Sequence, residues 1–123
     1  MKKLLIAAAA AALFAPSLAS AADLSGVWKI VANVQDMTVD VTCDLTEQGA
    51  ALSGTCGRTD AGGETPVATS GTVDGSTAKW AYDVNFQGMP LHIAYTGDVK
   101  SDTAMEGTLD VAGGQGTFTA TKQ

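Results

Sequence analysis

From Met37 onward the chain alternates with a period of two. Met37, Val39, Val41, Cys43 and Leu45 are apolar, and Thr38, Asp40, Thr42, Asp44 and Thr46 between them are polar. This is the period of a strand with one face in a core and the other in water. Gln48-Gly49-Ala50-Ala51 follows, with glycine at the first central position of a two-residue turn, where type II′ geometry requires a positive φ. Closing a hairpin there sets Gln48 opposite Ala51. Counting back along both strands then sets Cys43 opposite Cys56 on the same face. Turn chemistry and cysteine spacing point separately to one register, which predicts a Cys43–Cys56 disulfide.

The same alternation runs through the rest of the chain. Trp28, Ile30 and Ala32 form an inward row before the hairpin, and the turn-rich stretch from Gly57 to Pro66 reads as a loop after it. Val67, Thr69, Gly71 and Val73 make the next inward row. Asp74-Gly75 is the dipeptide of a type I′ turn, which places Gly71 beside Ala78, Thr69 beside Trp80 and Val67 beside Tyr82. Trp80, Tyr82, Val84 and Phe86 continue inward to a turn at Gln87-Gly88. Leu91, Ile93, Tyr95, Gly97 and Val99 return from it; a two-residue loop sets Asp83 opposite His92, and a four-residue loop keeps the same faces but moves the partners. Met105, Gly107, Leu109 and Val111 follow a loop at Ser101-Asp102. Gly113-Gly114 then turns the chain into a last strand with Phe118 and Ala120 inward. The expected fold class is therefore all-β: an eight-stranded antiparallel up-and-down β-barrel with one cross-strand disulfide, closed so that no strand edge is left exposed. Gly54, Gly71, Gly97 and Gly107 fall on the inward face, where glycine gives a curved strand room to bend.

Two regions of different composition are expected. Lys2 and Lys3, the apolar run from Leu4 to Ala15 and the small-residue site Ala19-Ser20-Ala21 read as a secretory signal peptide over residues 1–22, leaving residues 23–123 as a single barrel domain. The apolar run is too short to span a bilayer, so no membrane insertion is expected after cleavage. A periplasmic or secreted location follows, where a disulfide persists. Without Lys2 and Lys3, five basic residues (Lys29, Arg58, Lys79, Lys100 and Lys122) face thirteen acidic ones. That balance argues against nucleic acid and anionic membrane as partners and leaves a protein partner open.

Candidate chemistry is sparse. His92 is the only histidine and falls on the outward face, and both cysteines are committed to the disulfide. Asp36, Asp40 and Asp44 lie roughly 13 Å apart along one strand, too far to share a cation. Asp60 and Glu64 share a glycine-rich loop without a recognised calcium spacing. No catalytic residue, metal or cofactor is expected. What remains is the inward aromatic set. Trp80, Tyr82, Tyr95, Phe86 and Phe118, with Thr69 beside them, are the candidate ligand-binding residues, because a few polar groups converging in an aromatic cavity characterise a small-molecule site. Two readings stay open: a barrel hollow enough to bind a small apolar or aromatic ligand, and a barrel filled by its own side chains that acts as a protein-interaction module through loops such as Arg58 to Pro66.

The Gly-x-Trp of the first strand (Gly26, Trp28), the repeated Ser-Gly strands and the terminal Gly-Thr-Phe-Thr-Ala-Thr-Lys resemble the calycin barrels, particularly small secreted bacterial lipocalin-like domains and the avidin-like proteins. The resemblance implies that Trp28 plugs one end of the barrel and that the opposite mouth takes a small apolar molecule. The tryptophans that an avidin-like biotin site has on late strands are missing after Trp80, so biotin is not implied. The opening Leu-Ser-Gly-x-Trp and the single disulfide also resemble periplasmic barrels that inhibit secreted metalloproteases. Those act through a longer N-terminal segment than Ala22 and Asp23 provide.

Overall fold

The computed structural model describes residues 23–59 and 65–123. The signal peptide expected over residues 1–22 lies outside the described residues, as does most of the loop between Arg58 and Pro66. The strands are β1 (Gly26–Val34), β2 (Met37–Gln48), β3 (Ala51–Arg58), β4 (Val67–Asp74), β5 (Thr77–Phe86), β6 (Met89–Ser101), β7 (Ala104–Val111) and β8 (Gly114–Lys122). Each pairs antiparallel with its neighbour in sequence, and β8 returns to β1 to close the barrel. The fold class read from the alternation is the one observed. No helix among the described residues is long and apolar enough to cross a membrane.

Register follows from the turns. Gly49 has φ of 62°, and the β2–β3 hairpin pairs Gln48 with Ala51 and Cys43 with Cys56, which form the expected disulfide. The β5–β6 hairpin pairs Asp83 with His92, as expected for a two-residue loop. The β4–β5 hairpin is shifted by two residues from the expected register. Asp74 pairs with Thr77, so the loop is Gly75-Ser76, and Gly71 faces Trp80 while Val73 faces Ala78. Gly75, with φ of 62°, takes the first central position, so this turn repeats the Gly49 solution instead of forming a type I′ turn at Asp74-Gly75. The shift keeps every inward residue inward, and it accounts for Gly71. A Cβ there would run into the backbone of Lys79 and Trp80. The last hairpin also turns one residue earlier than Gly113-Gly114, at Ala112-Gly113, with Ala112 held at φ of 49°.

The core is the inward row of all eight strands. Trp28, Ile30, Ala32, Val41, Cys43, Leu45, Leu52, Cys56, Ala78, Trp80, Tyr82, Tyr95, Met105, Leu109, Phe118 and Ala120 are buried. The two ends are finished differently. At the end carrying the β2–β3, β4–β5 and β6–β7 turns, Leu24 folds over the barrel, fully buried, and its carbonyl accepts the Trp28 indole N–H at 2.9 Å. The Leu24 amide donates to Glu47 Oε1 at 2.8 Å, the Glu47 amide donates to Ser25 Oγ at 2.9 Å, and Lys122 Nζ donates to the Asp23 carbonyl at 2.9 Å. Trp28 thus closes this end, as the calycin resemblance implies, with its polar atom satisfied. At the opposite end Val34, Val39, Val84, Leu91, Ile93 and Val111 are only half-buried.

Candidate functional site

The half-buried rows at that second end enclose a cavity of about 200 Å³ that opens to the outside. Its wall comes from β1, β2, β5, β6 and β7: Ala32, Val34, Val39, Val41, Val84, Leu91, Ile93, Leu109 and Val111 present aliphatic side chains, because alternation on each strand sends them inward. Tyr82 and Tyr95 form its inner part. Gln35, Met37, Gly57 and Arg58 complete the lining. Met37 and Met89, at the ends of β2 and β6 on this side, are 60% and 64% exposed.

Behind the tyrosines stands an aromatic stack. Trp80 lies parallel to Tyr95 with ring centroids 5.0 Å apart and planes 10° apart, and Phe118 meets both rings edge-on, at 5.7 Å from Trp80 and 5.2 Å from Tyr95. Such pairs add about 0.5–1.5 kcal/mol each beyond area burial and hold the rings in one arrangement. Tyr82 and Tyr95 share a hydrogen bond of 2.8 Å between their hydroxyls, with centroids 5.8 Å apart. Burial, helped by the adjacent Tyr82 hydroxyl, pushes the Tyr95 phenol well above the usual range, so it stays protonated and neutral. The Trp80 indole N–H is buried without an acceptor among the described residues. An orphan of this kind costs about 1–3 kcal/mol.

The residues singled out from the sequence therefore separate into layers. Tyr82 and Tyr95 line the cavity, and Trp80 and Phe118 form the stack that backs them. Thr69 is buried, but its hydroxyl donates to the Ala81 carbonyl at 2.9 Å, and the shifted β4–β5 register sets Gly71, not Thr69, opposite Trp80. Phe86 is the last residue of β5; its side chain lies outside the described set. His92 accompanies Asp83 on the outer surface at 2.8 Å, both well exposed and across the wall from the cavity.

Sequence reading missed Arg58. Leu52, Gly54 and Cys56 are inward on β3, and Arg58 continues that parity, facing inward Val41 on β2. Because Gly57 reads as the start of a loop, the strand was expected to stop at Cys56. The alternation itself was the signal that an arginine occupies the inner row.

The chain matches no protein-family model and no curated protein. Among solved structures it is similar to a redesigned β barrel, at 17% identity and a TM-score of 0.62 over 81% of this chain and 91% of that one. It is also similar to the redesigned β barrel mFAP1 bound to DFHBI, at 16% identity and a TM-score of 0.58 over 81% of this chain and 94% of that one. At that identity the likeness shows the barrel fold.

Proposed function

We propose that this protein is a non-catalytic, lipocalin-like barrel that binds one small apolar or aromatic molecule through its open end, in a periplasmic or secreted setting. The observation that carries the reading is the cavity of about 200 Å³, apolar around its wall and furnished with a tyrosine hydroxyl pair. An engineered apolar cavity of about 150 Å³ accommodates benzene, so this one has room for a single ring or a short hydrocarbon chain. A similar redesigned barrel was solved bound to a small molecule, DFHBI, which supports ligand binding by this architecture. The disulfide supports the oxidising setting. Placement of the single histidine on the outer wall supports binding without catalysis.

The test is native mass spectrometry of the protein purified from its own source, beside the variant Val84→Trp, which fills the cavity from its half-buried rim. A reproducible excess mass that the variant loses, with the barrel still folded by circular dichroism, is the expected result. An excess mass equal in both proteins, or a bare protein that also fails to bind any small aromatic probe, overturns the reading.

A further inference from the structure

We propose that the tip of the β5–β6 hairpin, residues 83–92, is a lid hinged beside Thr69 that swings away from the cavity to admit the ligand and closes over it. The proposal rests on the binding reading above and adds how that site is entered and shut.

Register singles out this hairpin. β5 pairs with β4 only from Asp74–Thr77 to Ser70–Ala81, although β4 continues to Val67 and keeps its pairing with β3 as far as Cys56–Val67. On the other flank β6 pairs with β7 only as far as Ile93–Val111, with one further bond of 3.3 Å from the Ala112 amide to the His92 carbonyl. Ala81 faces Ala94 and Tyr82 faces Ile93, so both neighbouring ladders end at one level of the hairpin. Beyond that level β5 and β6 stay paired with each other out to Phe86–Met89. A two-stranded ribbon on its own is marginally stable in water. The β7–β8 hairpin at the same end differs, because β8 is tied to β1 as far as Val34–Gly116, close to its turn.

The side chains fit the same reading. The Thr69 hydroxyl, buried, donates to the carbonyl of Ala81 at 2.9 Å, so a side-chain bond finishes the β4–β5 ladder at its last paired residue and marks the hinge. Val84 and Leu91 face each other across the tip and both line the cavity, so the tip is part of the wall that closes on a ligand. Met89 shares the inward parity of Leu91 but is 64% exposed, so the inner surface of the tip is not packed down at its end. Pro90 gives β6 no N–H there, which a strand tolerates where it has an open edge. Coupling to occupancy separates a lid from a frayed end: a ligand touching Val84 and Leu91 binds the closed form better and shifts the population toward it.

The experiment is backbone amide relaxation dispersion with hydrogen exchange on the folded, disulfide-bonded protein, without and with saturating benzene, a ring that an apolar cavity of about 150 Å³ accommodates. Residues 83–92 are expected to share one exchange process and to exchange with solvent about tenfold or more faster than Thr77–Ala81 on the same strand, and benzene is expected to lower the open population about tenfold. Thr69→Val, which removes the hydroxyl, is expected to move the boundary of fast exchange past Ala81 toward Lys79, whereas Thr69→Ser leaves it in place. Protection of residues 83–92 equal to that of Thr77–Ala81, or fast exchange that bound benzene leaves unchanged, overturns the lid and leaves the pocket intact. A boundary that Thr69→Val does not move overturns the hinge at Thr69. Failure of benzene to bind the folded protein removes the binding reading and the lid with it.

Discussion

At the closed end the inward rows finish on Leu24, Trp28, Leu45 and Leu52, all buried, whereas at the mouth they finish on Val34, Val39, Val84 and Val111, half-buried, beside exposed Met37 and Met89. The backbone differs in the same sense. Gly49 and Gly75 supply the positive φ of the closed-end turns, but the mouth turns hold Gln35 and Asp36, Gln87, and Ala112 in that region. Non-glycine residues there cost roughly 1 kcal/mol each, and such costs concentrate where a structure serves something besides stability. One end is completed by its own side chains and polar caps. The other keeps apolar surface half-buried and holds non-glycine residues at positive φ.

The largest effect is expected at the plug. Trp28→Ala is expected to cost about 3–5 kcal/mol, measured by urea denaturation, because it empties a fully buried site and strands the Leu24 carbonyl. A loss below 1 kcal/mol would mean that Trp28 is not what closes this end. Next in size is the disulfide, which bridges a sequence separation of 13. Replacing both cysteines by alanine should lower stability by about 3 kcal/mol, and an unchanged midpoint would sink that assignment.

Alkaline pH reaches the inner end of the cavity. The Tyr95 phenol is raised in the folded state, so the stability it contributes is complete below its unfolded pKa of about 10 and is lost as pH rises above that value. The loss amounts to about 1.4 kcal/mol per pH unit until the folded phenol itself ionises. Tyr95→Phe should flatten that part of the denaturation profile, and identical profiles would count against the buried phenol. Smaller effects belong to the mouth. Val111→Ala should cost under about 1.5 kcal/mol, well short of a closed-end truncation, because Val111 is half-buried beside open volume. Ala112→Gly should raise stability by about 1 kcal/mol by releasing the left-handed alanine, with thermal unfolding as the measure.

How much of this could be read from the chain depended on what each feature obeys. The Cys43 and Cys56 pairing was legible because Gly49 admits one turn there, and a turn fixes a hairpin's register. At Asp74-Gly75-Ser76 the same glycine serves two turn types, and the observed one brings Gly71 against the backbone of Lys79 and Trp80, a contact between strands that local sequence does not contain. Ala112 hid the last turn because alanine carries no signal for a positive φ. In the site, Tyr82 and Tyr95 were legible from alternation, whereas Thr69 was not, since its hydroxyl turns to the Ala81 carbonyl. The cavity depends on how far side chains reach across the closed ring, which period-two patterning does not encode.

The seam between β1 and β8 also governs how the molecule assembles. Trp28 meets Lys122 there, joining the first strand to the last, while Gln48 and Ala51 are joined by a two-residue turn. Loop-closure entropy favours the hairpins over the seam, so ring closure is expected to be the slow step of refolding, which stopped-flow fluorescence would show as a slowing on a substitution at the β1–β8 seam but not at the β2–β3 turn. Until it occurs, β1 and β8 both present unpaired backbone edges, and the unsealed ring is the form most exposed to aggregation.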